Sequence, residues 1–185
     1  MIAPTTMNDC NRRVAPPRQL PHSELPHSRN LRLHRLSDAS ATFFITKSLR
    51  PKKPILNAAA RDTVLSAFKF AVDQERLNFR AFVVMPDHWH ALFYVCEPWT
   101  LPKVMHAMMS FIGGKTSGLL TAQGTAWQDG YYDTLVKTEK QFRFISHYIE
   151  QNPVVKGFVE NAEQWEASSA SRKDLVTNPW PYLLD

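Results

Sequence analysis

Two short stretches carry side chains whose types and spacing suit chemistry. The first is Met85-Pro86-Asp87-His88-Trp89-His90-Ala91-Leu92. In a strand, residues i and i+2 point to the same face, so His88 and His90 project together while Trp89 points away. Two imidazoles side by side make half of a metal site. Imidazole binds Zn, Cu, Fe and Ni, and shares sites with oxygen ligands for Mg or Mn. The second stretch is His147-Tyr148-Ile149-Glu150-Gln151-Asn152-Pro153. Tyr148 and Asn152 are one helical turn apart and share a face. Each motif also has a plain structural reading: the His pair as polar residues on a solvent face, Tyr148 as a half-buried core aromatic, and Asn152 as a helix end.

Combined, the two stretches describe one reaction. A metal held by two imidazoles and an amide oxygen keeps open positions for phosphate oxygens and stabilises the charge of a transition state. A tyrosine hydroxyl beside it attacks phosphorus, leaving a covalent phosphotyrosine and a free 3′-hydroxyl. That link stores the energy of the broken phosphodiester, so the strand can be rejoined without ATP.

The elements that must position these groups can be read from pattern. Ala41–Ser48 is a β-branched and aromatic run closed by Pro51 and Pro54, a first strand. Asn57 caps a helix that carries Val64, Leu65, Phe68 and Val72 at helical spacing to about Arg76. Phe79–Met85 and His88–Val95 form two strands joined at a Pro86-Asp87 turn or bulge, hence antiparallel neighbours. A second helix starts near Leu101, with Val104, Met105, Met108 and Ile112 on one face. Gly113-Gly114 is expected to weaken or bend it. A fourth strand fits Tyr131–Val136. A third helix, capped by Thr138, is expected to stop before Pro153, with Ile145 and Ile149 anchoring it to the sheet. The order βαββαβ plus a helix predicts an α+β fold: a ferredoxin-like antiparallel sheet with helices on one face and the tyrosine on a C-terminal helix.

Composition frames this reading. The chain has 185 residues, 44% hydrophobic and 21% charged, which suits one globular domain with tails. Its net charge of +5 is compatible with phosphate binding without requiring it. Residues 1–36, rich in Pro and Arg, read as a mobile basic arm, either a plain solvated tail or a nucleic-acid-touching one. Residues 37–170 read as the catalytic domain. Residues 171–185 read as a tail packing back, with Trp165, Trp180 and Tyr182 as its anchors. Two cysteines without metal spacing, Cys10 and Cys96, argue against a disulfide framework. No secretory h-region and no bilayer-length apolar run is visible, so a cytoplasmic location and no membrane partner are expected.

The Met-Pro-Asp-His-Trp-His-Ala-Leu run resembles the His-hydrophobic-His (HUH) signature of single-tyrosine transposases. Trp127-Gln128-Asp129-Gly130-Tyr131-Tyr132-Asp133, Tyr148-Ile149-Glu150-Gln151-Asn152-Pro153-Val154, Gly157-Phe158-Val159 and the run from Trp165 to Ala170 resemble the REP-associated tyrosine transposases within that group. The resemblance covers about Ala41 to Ala170. It implies His88 and His90 as metal ligands, Asn152 as the third protein ligand and Tyr148 as the nucleophile. It further implies Mg²⁺ or Mn²⁺ as cofactor, and single-stranded DNA beside a small hairpin as substrate for cleavage and strand transfer. Relatives act as monomers or homodimers. The chain departs from them at Gly113-Gly114, where relatives tend to be polar and basic, and in its long N-terminal arm.

Further DNA contacts are expected from Lys103, Lys115, Lys137 and Arg143 to phosphates and from Trp127 and Tyr131 by stacking on bases, although solvated lysines and core aromatics give the same pattern. Asp133 either orients the metal site or ends a turn, and His106 lacks a partner in sequence. Two other functions remain open at this point: a hairpin-DNA-binding regulator that does not cut, and a metal-dependent phosphodiester hydrolase that uses water and has no need of Tyr148.

Overall fold

The computed structural model describes residues 41–51, 55–116 and 126–176. The N-terminal arm, Cys10, Trp180 and Tyr182 lie outside them. Strands β1 (Thr42–Ser48), β2 (Leu77–Val84), β3 (His88–Val95) and β4 (Tyr132–Val136) alternate with helices α1 (Ala58–Asp73), α2 (Leu101–Thr116) and α3 (Glu139–Val155). The sheet has the order β2-β3-β1-β4, with every adjacent pair antiparallel. This is the expected βαββαβ arrangement followed by a helix. None of the described helices is long and apolar enough to cross a membrane.

The two faces of the sheet do different work. On one face Phe43, Ile45, Phe79, Phe82, Val84, Trp89, Ala91 and Phe93 pack against α1 and α2, with Leu65, Phe68, Met105 and Ile112 among the helix residues. Phe68 lies against Phe79, Phe82 and Trp89 at ring distances of 4.7–5.6 Å. Strict alternation would put Phe79 and Phe82 on opposite faces. A register shift between Phe79 and Ala81 places one extra residue, Arg80, in β2 and brings both rings to the helix side. On the other face Ala81, Val83, Met85 and Leu92 receive Phe142 and Ile149 of α3, with Ile145 alongside. Ile145 and Ile149 therefore anchor α3 as their spacing predicts.

The Pro86-Asp87 linkage is a two-residue turn, closed by the Met85 N–H donating to the His88 carbonyl at 2.8 Å. Proline presets the φ such a turn needs. The turn is also tied from outside: Leu49 N–H donates to Asp87 O at 2.8 Å and Leu56 N–H to Pro86 O at 2.6 Å.

Helix α2 continues through Gly113 and Gly114 to Thr116, with Val104, Met105, Met108 and Ile112 buried. Two expectations are corrected. Helix α3 does not stop before Pro153 but contains it and runs to Val155. Its end is set by Gly157, at φ +73°, with the Phe158 N–H donating to Pro153 O and the Gly157 N–H to Val154 O. That pair of bonds is the glycine-terminated Schellman arrangement. Trp127 is 3% exposed and belongs to the core beneath β1, so its ring is not presented to bases.

A buried lysine organises the segment around Trp127. Lys47 on β1 donates through Nζ to the carbonyls of Gln128 and Gly130. Burial pushes its ammonium pKa down, opposed by nearby Asp129. The C-terminal segment lies along the free edge of β2: Val84 N–H donates to Ala167 O and Ser169 N–H to Phe82 O, both at 2.8 Å. Trp165 adds an indole hydrogen bond to Val84 O at 3.1 Å. Further along, Val176 forms an isolated parallel bridge with Phe79; residues 177–185, with Trp180 and Tyr182, lie outside the described residues.

Candidate active site

His88 opens β3 and His90 follows two residues later on the face that receives α3. Their Nε2 atoms lie 3.1 Å apart. Each ring is held from behind at Nδ1: His88 by the Asp87 carboxylate at 2.6 Å, and His90 by the Thr46 hydroxyl at 2.8 Å. Thr46 reaches His90 because the two are cross-strand partners in the β1–β3 register. His90 is 5% exposed. Burial first, then the charges of His88 and Lys156, push its pKa down to about 3, so its imidazole is neutral near pH 7.

Helix α3 brings the second motif over this pair. The Tyr148 ring lies 5.5 Å from the His90 ring and 6.4 Å edge-on from Phe44. Burial raises the phenol pKa, while a hydrogen bond with the Asn152 side chain acts in the opposite sense. The Asn152 amide oxygen is buried and has no hydrogen-bond partner. Orphaned acceptors of this kind are rare in folded proteins, where nearly all buried polar atoms are paired. Among the described residues no cluster of three or more His, Cys, Asp or Glu suited to a metal occurs.

The structure brings His88, His90 and Tyr148 into one site and places Asn152 against Tyr148. The remaining candidates are dispersed. Lys103 and Lys115 are exposed on α2, in the helix layer on the other side of the sheet. Lys137 precedes α3, and Arg143 on its first turns pairs with Glu139 at 2.5 Å. Tyr131 packs partly against the same core as Trp127. Asp133 is the partner of Ile45 and thus faces α1 and α2, away from the His pair. It does not orient the site. His106 is exposed on α2.

Three residues near the site were not singled out from sequence. Asp87 was read only as a turn residue, although its adjacency to His88 was visible. Thr46 could be found only by knowing the register of strands 44 residues apart. Lys156 follows Tyr148 and Asn152 at four-residue steps and caps α3 with helical backbone angles. Ending that helix at Pro153 concealed it.

Residues 42–152 match the family described as "Transposase IS200 like". The match begins with β1 and ends at Asn152, so it includes all four strands and both motifs. The chain is similar to the REP-associated tyrosine transposase of Escherichia coli (strain K12), 26% identical over 142 residues that span 76% of this chain and 82% of that protein. Its fold is similar to that of a REP-associated tyrosine transposase solved bound to a REP hairpin. The TM-score is 0.63 at 19% identity, covering 80% of this chain and 88% of that one.

Proposed function

Starting from a chain that belongs to the IS200-like transposase family, we propose that it cuts and rejoins single-stranded DNA at hairpin-forming sequences through a 5′-phosphotyrosine on Tyr148. The observation that carries this reading is the meeting of the Tyr148 ring with His90, whose Nε2 converges with that of His88. A hydrolase using water would have no need of a tyrosine there.

The donor set fits a divalent cation. Two imidazole nitrogens converge within 3.1 Å, one ring is kept neutral by burial, and a buried amide oxygen on the neighbouring helix lacks a partner. His88, His90 and Asn152 would hold Mg²⁺ or Mn²⁺, which when bound supplies Lewis-acid polarisation of the scissile phosphate. The protein's own groups do the rest. Tyr148 attacks phosphorus, forming the phenol-oxygen to phosphorus bond as the bond to the 3′-oxygen breaks. Its pKa is raised by burial, so the phenol is protonated at neutral pH; as the bond forms it gives up that proton, and the departing 3′-oxygen takes one up to leave as a hydroxyl. The hydrogen bond with Asn152 acts in the opposite sense on the phenol pKa and favours the phenolate as it develops. Packing of Phe44 against Tyr148 holds the ring in place. Lys156, whose charge is felt at His90, would offset phosphate charge.

Labelled DNA hairpins incubated with the protein and Mn²⁺ or Mg²⁺ should yield a covalent protein–DNA adduct on a denaturing gel. The adduct should vanish in Tyr148→Phe and with a chelator. Cleavage that survives Tyr148→Phe without an adduct would replace this reading with the hydrolase. Tight hairpin binding with neither product would leave a DNA-binding regulator.

A further inference from the structure

A neutral imidazole has one N–H and one bare nitrogen, and only the bare nitrogen can hold a cation. Which one is bare depends on what the other nitrogen meets. At His90 the Nδ1 atom meets the Thr46 hydroxyl at 2.8 Å, and Nε2 is turned toward His88. At His88 the Nδ1 atom meets the Asp87 carboxylate at 2.6 Å, an acceptor when ionised. From this arrangement we infer that Thr46 and Asp87 are positioning residues that, once a cation lies between the rings, keep the proton of each imidazole on Nδ1 and turn both Nε2 atoms into the site; without the cation one Nε2 keeps a proton across the 3.1 Å contact. The inference rests on the metal-site reading above.

The two supports differ in character. Thr46 sits on β1, paired with β3 on one side and β4 on the other, and its β-branched side chain is stiff. Its partner is buried, so this bond is shielded from water. The Asp87 side chain is 73% exposed, so its attraction for His88 is screened. Its position comes from the turn, whose two carbonyls are tied to Leu49 and Leu56. The Thr46 bond should therefore matter more. Partners behind metal-binding histidines are worth about 10–100-fold in metal affinity.

The test is ¹⁵N NMR of histidine-labelled protein saturated with diamagnetic Mg²⁺, with Mn²⁺ affinity measured by calorimetry. In the wild type, His90 should carry its proton on Nδ1. Thr46→Val should shift His90 toward the other tautomer and weaken Mn²⁺ binding about 10-fold, and Thr46→Ser should restore both. Asp87→Asn, which keeps an acceptor, should change affinity less than Asp87→Ala. A wild-type His90 protonated on Nε2 would overturn the inference. So would a folded Thr46→Val with unchanged tautomer and unchanged affinity. If these results come out as stated while no DNA adduct forms, the strand-transfer reading fails and the role of Thr46 and Asp87 stands.

Discussion

Asn152 sits in a buried position on α3. Its amide oxygen is buried without a partner, which costs about 1–3 kcal/mol. Asn152→Leu removes that cost and loses roughly 1 kcal/mol of hydrogen bond to the phenol. The metal-free variant should melt at or above the wild-type temperature by differential scanning calorimetry, and Mn²⁺, expected to raise the wild-type temperature, should leave that of the variant unchanged. A large drop in the metal-free midpoint would mean that Asn152 is a structural residue. Cys96 gives a residue-scale test in pH. Burial, then Glu75, push its thiol pKa up, and only the thiolate alkylates. In a Cys10→Ser background, iodoacetamide should modify the native protein more slowly at pH 8 than the unfolded one, and the native rate should climb at higher pH than a free thiol's. At this scale the strand and helix periods put each motif on one face, but it was the resemblance to single-tyrosine transposases that singled out the His pair and Tyr148 from their plain structural readings. Thr46 was not singled out, because its role is created by pairing between distant strands.

Helix α3 shows where element-level reading succeeds and where it runs out. Its start was legible: Thr138 accepts from the Gln141 N–H at 3.2 Å, as an N-cap should. Its end was not, because the bias of a residue preceding proline is a local preference, and tertiary packing overrode it. Pro153 and Asn152 are buried, and that burial holds the helix together where proline removes a backbone donor. The stop comes instead from the positive φ of Gly157. A residue with a Cβ pays about 1–2 kcal/mol in that conformation. Gly157→Ala should lower stability by that amount in urea unfolding, although open space surrounds the position. The strand β1 offers a second test. Lys47→Met leaves the carbonyls of Gln128 and Gly130 without their shared donor. It should cost about 1–3 kcal/mol and loosen the segment leading into β4, read as faster proteolysis there. This contact, like the burial of Trp127, could not be foreseen from spacing, since an isolated lysine in a strand reads as solvated.

For the molecule as a whole, the antiparallel sheet with helices on one face followed from the βαββαβ pattern, while the placing of α3 on the opposite face and the closing of the sheet's edge did not. Residues 165–170 look polar and small in sequence, yet Ala167, Ser168, Ser169 and Ala170 are buried along β2. They complete backbone bonds that an open edge strand would offer to other chains. A chain truncated after Gln164 should form larger species that grow with concentration, seen by light scattering against the full chain.

The division of the site between two elements has a consequence for motion. The imidazoles belong to β3, deep in the sheet, whereas Asn152 and Tyr148 belong to α3, which meets the sheet through the small cluster around Ile149. An ion held by both would act as a latch between them, and its binding free energy would oppose every fluctuation that lifts the helix. Amide hydrogen exchange should then slow in α3 when Mn²⁺ is added and stay unchanged in α1 and α2. The readiness of the nucleophile would be a thermodynamic property of a docked helix, graded by cation concentration.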